Sequence, residues 1–76
     1  MEMIQIGGQY INPVHVESVS SEIEKRVITG GNEMRKEEVP IVIIHLYSGR
    51  RIVIEGVSAE EVVKAVYEGL AGYYAS

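Results

Sequence analysis

Arginine and lysine side chains supply the first chemistry that this sequence suggests, because most of them occur in adjacent pairs. The pairs are Lys25-Arg26, Arg35-Lys36 and Arg50-Arg51. The last pair follows Ser48-Gly49, where a tight turn leaves backbone N–H groups free beside the guanidinium groups, a combination that binds phosphate. Neighbouring side chains on a strand point to opposite faces, so Arg50 and Arg51 converge on one ligand only if one of them faces a subunit interface. The alternative is solvated surface charge.

Aromatic side chains are a second candidate for ligand contact, and tyrosine supplies all of them. Tyr67, Tyr73 and Tyr74 lie near the end of the chain and Tyr47 lies just before the Ser48-Gly49 turn. Tyrosine is enriched at interfaces because it combines a large apolar ring with a polar tip. These rings either pack within the core and between subunits or stack on a ligand.

Catalytic and metal-binding patterns are weak. His15, His45 and Glu17 could form a two-histidine, one-carboxylate metal site if their strands were neighbours, but no zinc-type ligand spacing is present. The chain has no Asp or Cys, and none of its serines lies in a G-x-S-x-G turn. We therefore predict a protein that is not an enzyme and that uses no metal or cofactor.

Composition narrows the class of protein further. The net charge of −4 disfavours general nucleic-acid binding, which depends on clustered Lys and Arg. No apolar run reaches the roughly 20 residues that a membrane span needs, and the start of the chain lacks a signal-peptide layout, so we expect a cytoplasmic protein without membrane contact. A chain of 76 residues without disulfides is only marginally stable alone, which favours self-association into a homo-oligomer.

The N-terminal half of the chain predicts short strands and a charged insertion. Apolar residues on either side of Gly7-Gly8 indicate a hairpin. Val14 and Val16 alternate as in a strand, and a bulge near Ser18 would bring Val19 into phase. The segment at about 21–39 is rich in charge and is predicted to be a loop or hairpin insertion, with a short helix as the alternative.

The C-terminal half predicts a central strand, a hairpin and a helix. The β-branched run from Ile41 to Tyr47 is typical of a strand covered on both faces, and the Ser48-Gly49 turn leads into a further strand. Ser58 and Glu61 form a capping box that begins a helix. Its apolar sector is wider than one sheet face needs. The chain therefore predicts a single α+β domain, residues 1–76, with one small, mostly antiparallel sheet of about five strands and one C-terminal helix.

Four short motifs resemble the FlbD-like flagellar proteins and related short phage proteins. They are Tyr10-Ile11-Asn12-Pro13, Val16-Glu17-Ser18-Val19, the run from Tyr47 to Ile54, and Ser58-Ala59-Glu60-Glu61-Val62-Val63. They correspond to that family's "LNP…I…IE" start, its "NGK"-type turn and its "S-x-E-E-V" helix. The resemblance covers most of the chain except residues 21–39. It implies a protein-interaction or regulatory module that recruits a partner through a sheet edge or through that segment.

The tyrosines, glycine turns and paired arginines together are similar to what phage-encoded immune sponges of the anti-Thoeris kind would need. Those proteins are small β-rich oligomers that sequester cyclic nucleotide signals between subunits. This resemblance implies a non-catalytic, phage-encoded homo-oligomer that binds a small anionic, nucleotide-like signal at its subunit interfaces. The ligand-binding residues that it implies in this sequence are Arg50, Arg51, Tyr47, His45 and Tyr74. We take it as the leading hypothesis and the FlbD-like module as the alternative.

Overall fold

The protein is an α+β domain, as the sequence predicts. A computed structural model describes residues 3–75, apart from the side chains of Tyr73 and Ala75. In chain order the elements are β1 (Ile4–Ile6), β2 (Gln9–Ile11), a 3-10 turn (Pro13–His15), β3 (Val16–Gly30), β4 (Glu33–Leu46), β5 (Arg51–Glu55) and α1 (Ala59–Ala75). All strand pairs are antiparallel. The five strands divide into a two-stranded sheet, β1-β2, and a three-stranded sheet, β3-β4-β5, instead of forming the single sheet that was expected.

The β1-β2 hairpin forms around Gly7-Gly8 as predicted, but it packs on the larger sheet instead of extending it. Both glycines have positive φ, +57° and +79°, which L-residues with a Cβ adopt only with strain. Ile6 and Ile11 are buried in the core together with Ile54 and the helix. Burial of these two side chains turns the hairpin against the sheet face, and the edge of the larger sheet stays open.

Residues Pro13–His15 correct the expectation of a strand at Val14 and His15. Proline fits the first position of a helical turn, where its missing N–H costs nothing. The Asn12 side-chain oxygen accepts a hydrogen bond from the Val14 N–H at 3.0 Å and caps the turn. β3 therefore begins only at Val16. The predicted bulge is confirmed, because the register with β4 shifts between Val16 and Ser18.

The charged segment at 21–39 is the distal part of a long β3-β4 hairpin, so the helical alternative is wrong. Gly31-Asn32 closes the hairpin, and Gly31 has φ +60°, as the first central residue of a type II′ turn requires. Lys25 lies directly opposite Glu38, and Arg26 opposite Glu37. These opposite charges stabilise strand pairing across the ribbon and disfavour a helix.

Pro40 marks the place where the sheet narrows from three strands to two. β5 pairs with β4 only as far as Glu55 opposite Ile41. Pro40 has no N–H with which to continue that ladder. Residues 23–40 therefore form a two-stranded ribbon, called the arm below, and the molecule measures 58 Å along its longest axis but only 21 and 17 Å across.

The core lies between the helix and the three-stranded sheet. It consists of Ile6, Ile11, Val42, Ile44, Ile54, Val62 and Val66. β4 is the central strand, as predicted, although it ends at Leu46 and leaves Tyr47 exposed in the turn.

The helix begins as the capping motif predicts, since the Ser58 hydroxyl accepts a hydrogen bond from the Glu61 N–H at 3.1 Å. The surplus apolar stripe on the helix is present, because Val63, Tyr67 and Tyr74 are exposed.

Candidate functional site

An open groove of about 560 Å³ lies between the β1-β2 hairpin and the first half of β5. Strand β2 and the 3-10 turn form one wall, and β5 with the preceding turn forms the other. The lining residues are Met3, Gln9, Tyr10, Ile11, Asn12, His15, Leu46, Arg50, Arg51, Ile52 and Val53. A volume of this size matches the range of about 300–1,000 Å³ that is typical of small-molecule sites.

Backbone hydrogen bonds fix the position of Arg50 in the groove. The Leu46 N–H donates to the Arg50 carbonyl at 2.9 Å, and the Arg50 N–H donates to the Ser48 hydroxyl at 3.4 Å. The Tyr47 N–H donates to the His15 carbonyl at 3.0 Å. This last bond ties the 3-10 turn to the β4-β5 turn, so His15 and Arg50 belong to the same small region of the surface.

The two arginines of the groove belong to opposite faces of the sheet. Arg51 is opposite His45 in the register, and Ile52 is opposite Ile44. Because side chains alternate along a strand, Arg50 shares the face of Ile52 and the core, whereas Arg51 shares the outer face with Val53. Arg50 is thus the arginine directed to the side where the β1-β2 hairpin packs.

The groove is positively charged in a chain that is acidic overall. None of its lining residues is a carboxylate, although the sequence contains 11 glutamates. Within residues 3–75 the ion pairs are those of Arg26 with Glu24, at 3.1 Å, and with Glu55. Arg50 and Arg51 therefore have no carboxylate partner among the residues that the structure describes. Unpaired guanidinium groups beside a cavity are the donors that bind an anion.

Of the five sequence-predicted ligand residues, only Arg50 and Arg51 line the groove. His45 lies on the outer face, where its Nε2 atom is 3.0 Å from the Ser20 hydroxyl. Tyr47 is exposed in the β4-β5 turn, and Tyr74 is exposed in the last part of the helix. The structure does not bring Tyr47, His45 and Tyr74 together with the two arginines in this groove.

Tyr10 and His15 are two groove residues with ring side chains that sequence reasoning did not include among the ligand contacts. Tyr10 is 66% exposed, because the alternation along β2 buries Ile11 and turns Tyr10 outward. The alternation along β2 can be predicted from the sequence. The closeness of Tyr10 to Arg50 cannot, because it depends on how the hairpin packs against the sheet.

Metal ligands and membrane-spanning helices are two further features that would bear on function. Among residues 3–75 no group of three or more His, Cys, Asp or Glu side chains is arranged to hold a metal ion. The two histidines are also apart, since His15 lines the groove and His45 lies on the outer face. The described part of the chain contains no helix with the length and apolar character needed to cross a membrane.

The fold and the groove define a small α+β domain with an open, cationic, partly aromatic surface groove. Comparison of the chain with models of protein families, with curated proteins and with solved structures gives no match.

Proposed function

We propose that this protein is a non-catalytic, homo-oligomeric binding protein that sequesters a small anionic, nucleotide-like ligand in the groove beside β5. The supporting observation is the charge of the groove, which collects two unpaired arginines and no carboxylate in a chain of net charge −4. The chain has 11 glutamates and only 7 Lys and Arg residues, so a groove lined by two arginines and no glutamate differs in charge from the chain as a whole. A phosphate group supplies the complementary charge.

The aromatic part of the groove extends the proposal from a phosphate to a nucleotide. Tyr10 offers an exposed ring on the wall that faces β5, and apolar contacts come from Met3 and Ile11. A ring of this kind stacks on a nucleobase, while Arg50 binds the phosphate. The groove holds no serine or cysteine beside a histidine, which favours retention of the ligand over its turnover.

Arg50→Ala is expected to weaken binding of a cyclic dinucleotide by about 10- to 100-fold, the usual loss for a charged hydrogen bond. Arg51→Ala should have a smaller effect, because its side chain belongs to the outer face. Isothermal titration calorimetry with cyclic dinucleotides, cyclic ADP-ribose isomers and inorganic phosphate measures both. Arg35→Ala, on the exposed arm, is the matched control and should bind as the wild type does. Wild-type protein that binds none of these anions would refute the proposal.

Tyr10→Ala is expected to separate base recognition from phosphate recognition. Loss of a stacking ring costs about 1–3 kcal/mol per base, so nucleotide affinity should fall about 5- to 150-fold. Affinity for inorganic phosphate should stay unchanged in the same titration. Tyr10→Phe keeps the ring and serves as the control. An equal loss for both ligands would mean that Tyr10 shapes the groove and does not stack on a base.

A protein-interaction module is the second candidate, and the arm is the observation that favours it. Ile23, Val27 and Met34 are well exposed and share one face of the arm by the strand register. A two-stranded ribbon is marginal in water and gains stability when such a face is covered. Under this alternative, removal of residues 24–39 should abolish capture of a protein partner and leave phosphate binding intact.

A further inference from the structure

Strand β5 presents an open edge with free backbone groups. It is the last strand of the β3-β4-β5 sheet. Its first three residues, from Arg51 to Val53, also contribute to the lining of the groove. The Leu46 N–H bonds to the Arg50 carbonyl, which makes this a hydrogen-bonded pair of the antiparallel ladder. Because such pairs alternate, Ile52 and Ile54 bond inward to β4. The N–H and C=O groups of Arg51, Val53 and Glu55 then point outward.

Two observations agree with this assignment. Pro40, which lacks an N–H, falls at a position opposite Ile23 where the alternation requires no bond between β3 and β4. Within residues 3–75, the backbone hydrogen bonds outside the two sheets involve none of Arg51, Val53 and Glu55. The edge is therefore available for pairing with another strand.

The sequence Arg51-Ile52-Val53-Ile54-Glu55 is complementary to itself in the antiparallel direction. If two copies pair about a two-fold axis at Val53, each Val53 is opposite the other. Arg51 of each copy is then opposite Glu55 of the second copy. The paired residues are those with outward backbone groups, so each pair exchanges two N–H···O bonds and places opposite charges side by side.

We infer that β5 is the seam of a homodimer, in which a second copy of this chain continues the sheet across a two-fold axis at Val53. The seam covers Val53, which is 51% exposed in one copy. Glu55 already pairs with Arg26, so Arg51 of the second copy would join a charge network on the outer face. A two-fold seam is self-complementary and closes after two copies, unlike a heterologous contact.

The seam rests on the assembly part of the proposed function and deepens it, and it takes Arg51 from the two arginines that line the groove. Arg51 and Glu55 pair on the outer face, which leaves Arg50 for the anion on the opposite face. The groove adjoins β5, so the second copy would lie beside each groove and place the ligand at a subunit boundary. Arg50→Ala should therefore remove anion binding and leave the dimer intact.

Charge reversal tests the seam with two single substitutions. Each substitution alone, Arg51→Glu or Glu55→Arg, places like charges opposite one another at two positions of the homodimer. The dissociation constant of each variant homodimer should therefore be about tenfold higher than that of the wild type. A mixture of the two variants restores both opposite-charge pairs in the heterodimer. Native mass spectrometry of each variant and of the mixture should show the heterodimer as the dominant dimer. Circular dichroism confirms that both variants are folded.

Val53→Pro tests the backbone bonds of the seam without a change in charge. The Val53 N–H points away from β4, so proline removes no hydrogen bond within the chain and is tolerated at such an edge position. The variant should be monomeric, whereas the control Val53→Thr, which keeps the N–H and the branched side chain, should remain dimeric. A wild-type monomer, a mixture without heterodimer preference, or an assembly unchanged by these substitutions would overturn the seam. Anion binding by a monomer would still support the groove.

Discussion

Ile44→Ala is expected to lower the free energy of unfolding by about 2–5 kcal/mol, the usual loss when a large aliphatic side chain is truncated in a core. Ile44 has 0% exposure and lies on the central strand within the core cluster. A domain of this size has a total stability of roughly 4–11 kcal/mol at typical values per residue, so the variant should be partly unfolded at 37 °C. Urea denaturation followed by circular dichroism measures the loss.

Ile43→Ala is the matched control for that substitution, because the two isoleucines are neighbours on β4 and nearly equally buried. Ile43 is 6% exposed but belongs to the opposite, outer face, between Ser20 and Val53 in the register, and it is not part of the core cluster. Its truncation should cost less than about 2 kcal/mol. Equal losses at Ile43 and Ile44 would contradict a core that lies on one face of the sheet.

Gly7→Ala is expected to destabilise the domain by about 2–5 kcal/mol through two additive effects. The positive φ of Gly7 costs an L-residue about 1–2 kcal/mol. A Cβ at this position would also lie 2.6 Å from Cγ2 of Ile54, and overpacking of a core side chain costs about 1–3 kcal/mol. Gly8→Ala is the control, since Gly8 has φ +79° but no atom within 4 Å of its Cβ position. It should lose only the backbone contribution in the same urea titration.

The contact between Gly7 and Ile54 can be isolated by a double-mutant cycle. Ile54→Ala removes the Cγ2 atom that an alanine at position 7 would meet. The double variant should therefore be more stable than the sum of the two single losses predicts. Strict additivity would show that the hairpin tip does not press on Ile54, and that the β1-β2 hairpin is less closely docked than the structure indicates.

Local sequence patterns predicted most of the fold. The glycine turn at Gly7-Gly8, the bulge near Ser18 and the cap at Ser58 are all found, because each depends on neighbouring residues alone. Residues 21–39 were ambiguous, since Ile23 and Val27 fit the helical and the strand period about equally. Charge pairing with the opposite strand, Lys25 with Glu38 and Arg26 with Glu37, resolves the ambiguity only when the hairpin register is known.

The candidate site was only partly predictable, for a physical reason of the same kind. Arg50 and Arg51 follow a recognisable turn, so their capacity to bind an anion could be predicted from the sequence. Tyr10 and His15 come from elements about 40 residues earlier, and only the packing of the β1-β2 hairpin places them on the same groove. His15 was also expected on a strand, whereas Pro13 starts a 3-10 turn there. Tertiary docking of this kind leaves no periodic signal in one sequence.

The regular pairing of the arm restricts how its length can vary between related proteins. Each residue added to both strands lengthens a ribbon by about 3.4 Å, but it also exchanges the two faces for everything beyond the insertion. If an odd number of residues were inserted in each strand between Ile23 and Val27, Val27 and Met34 would lie on the opposite face of the arm from Ile23. Homologues of this protein should therefore differ in arm length by multiples of two residues per strand, which changes reach in steps of about 7 Å while it preserves the orientation of the apolar face.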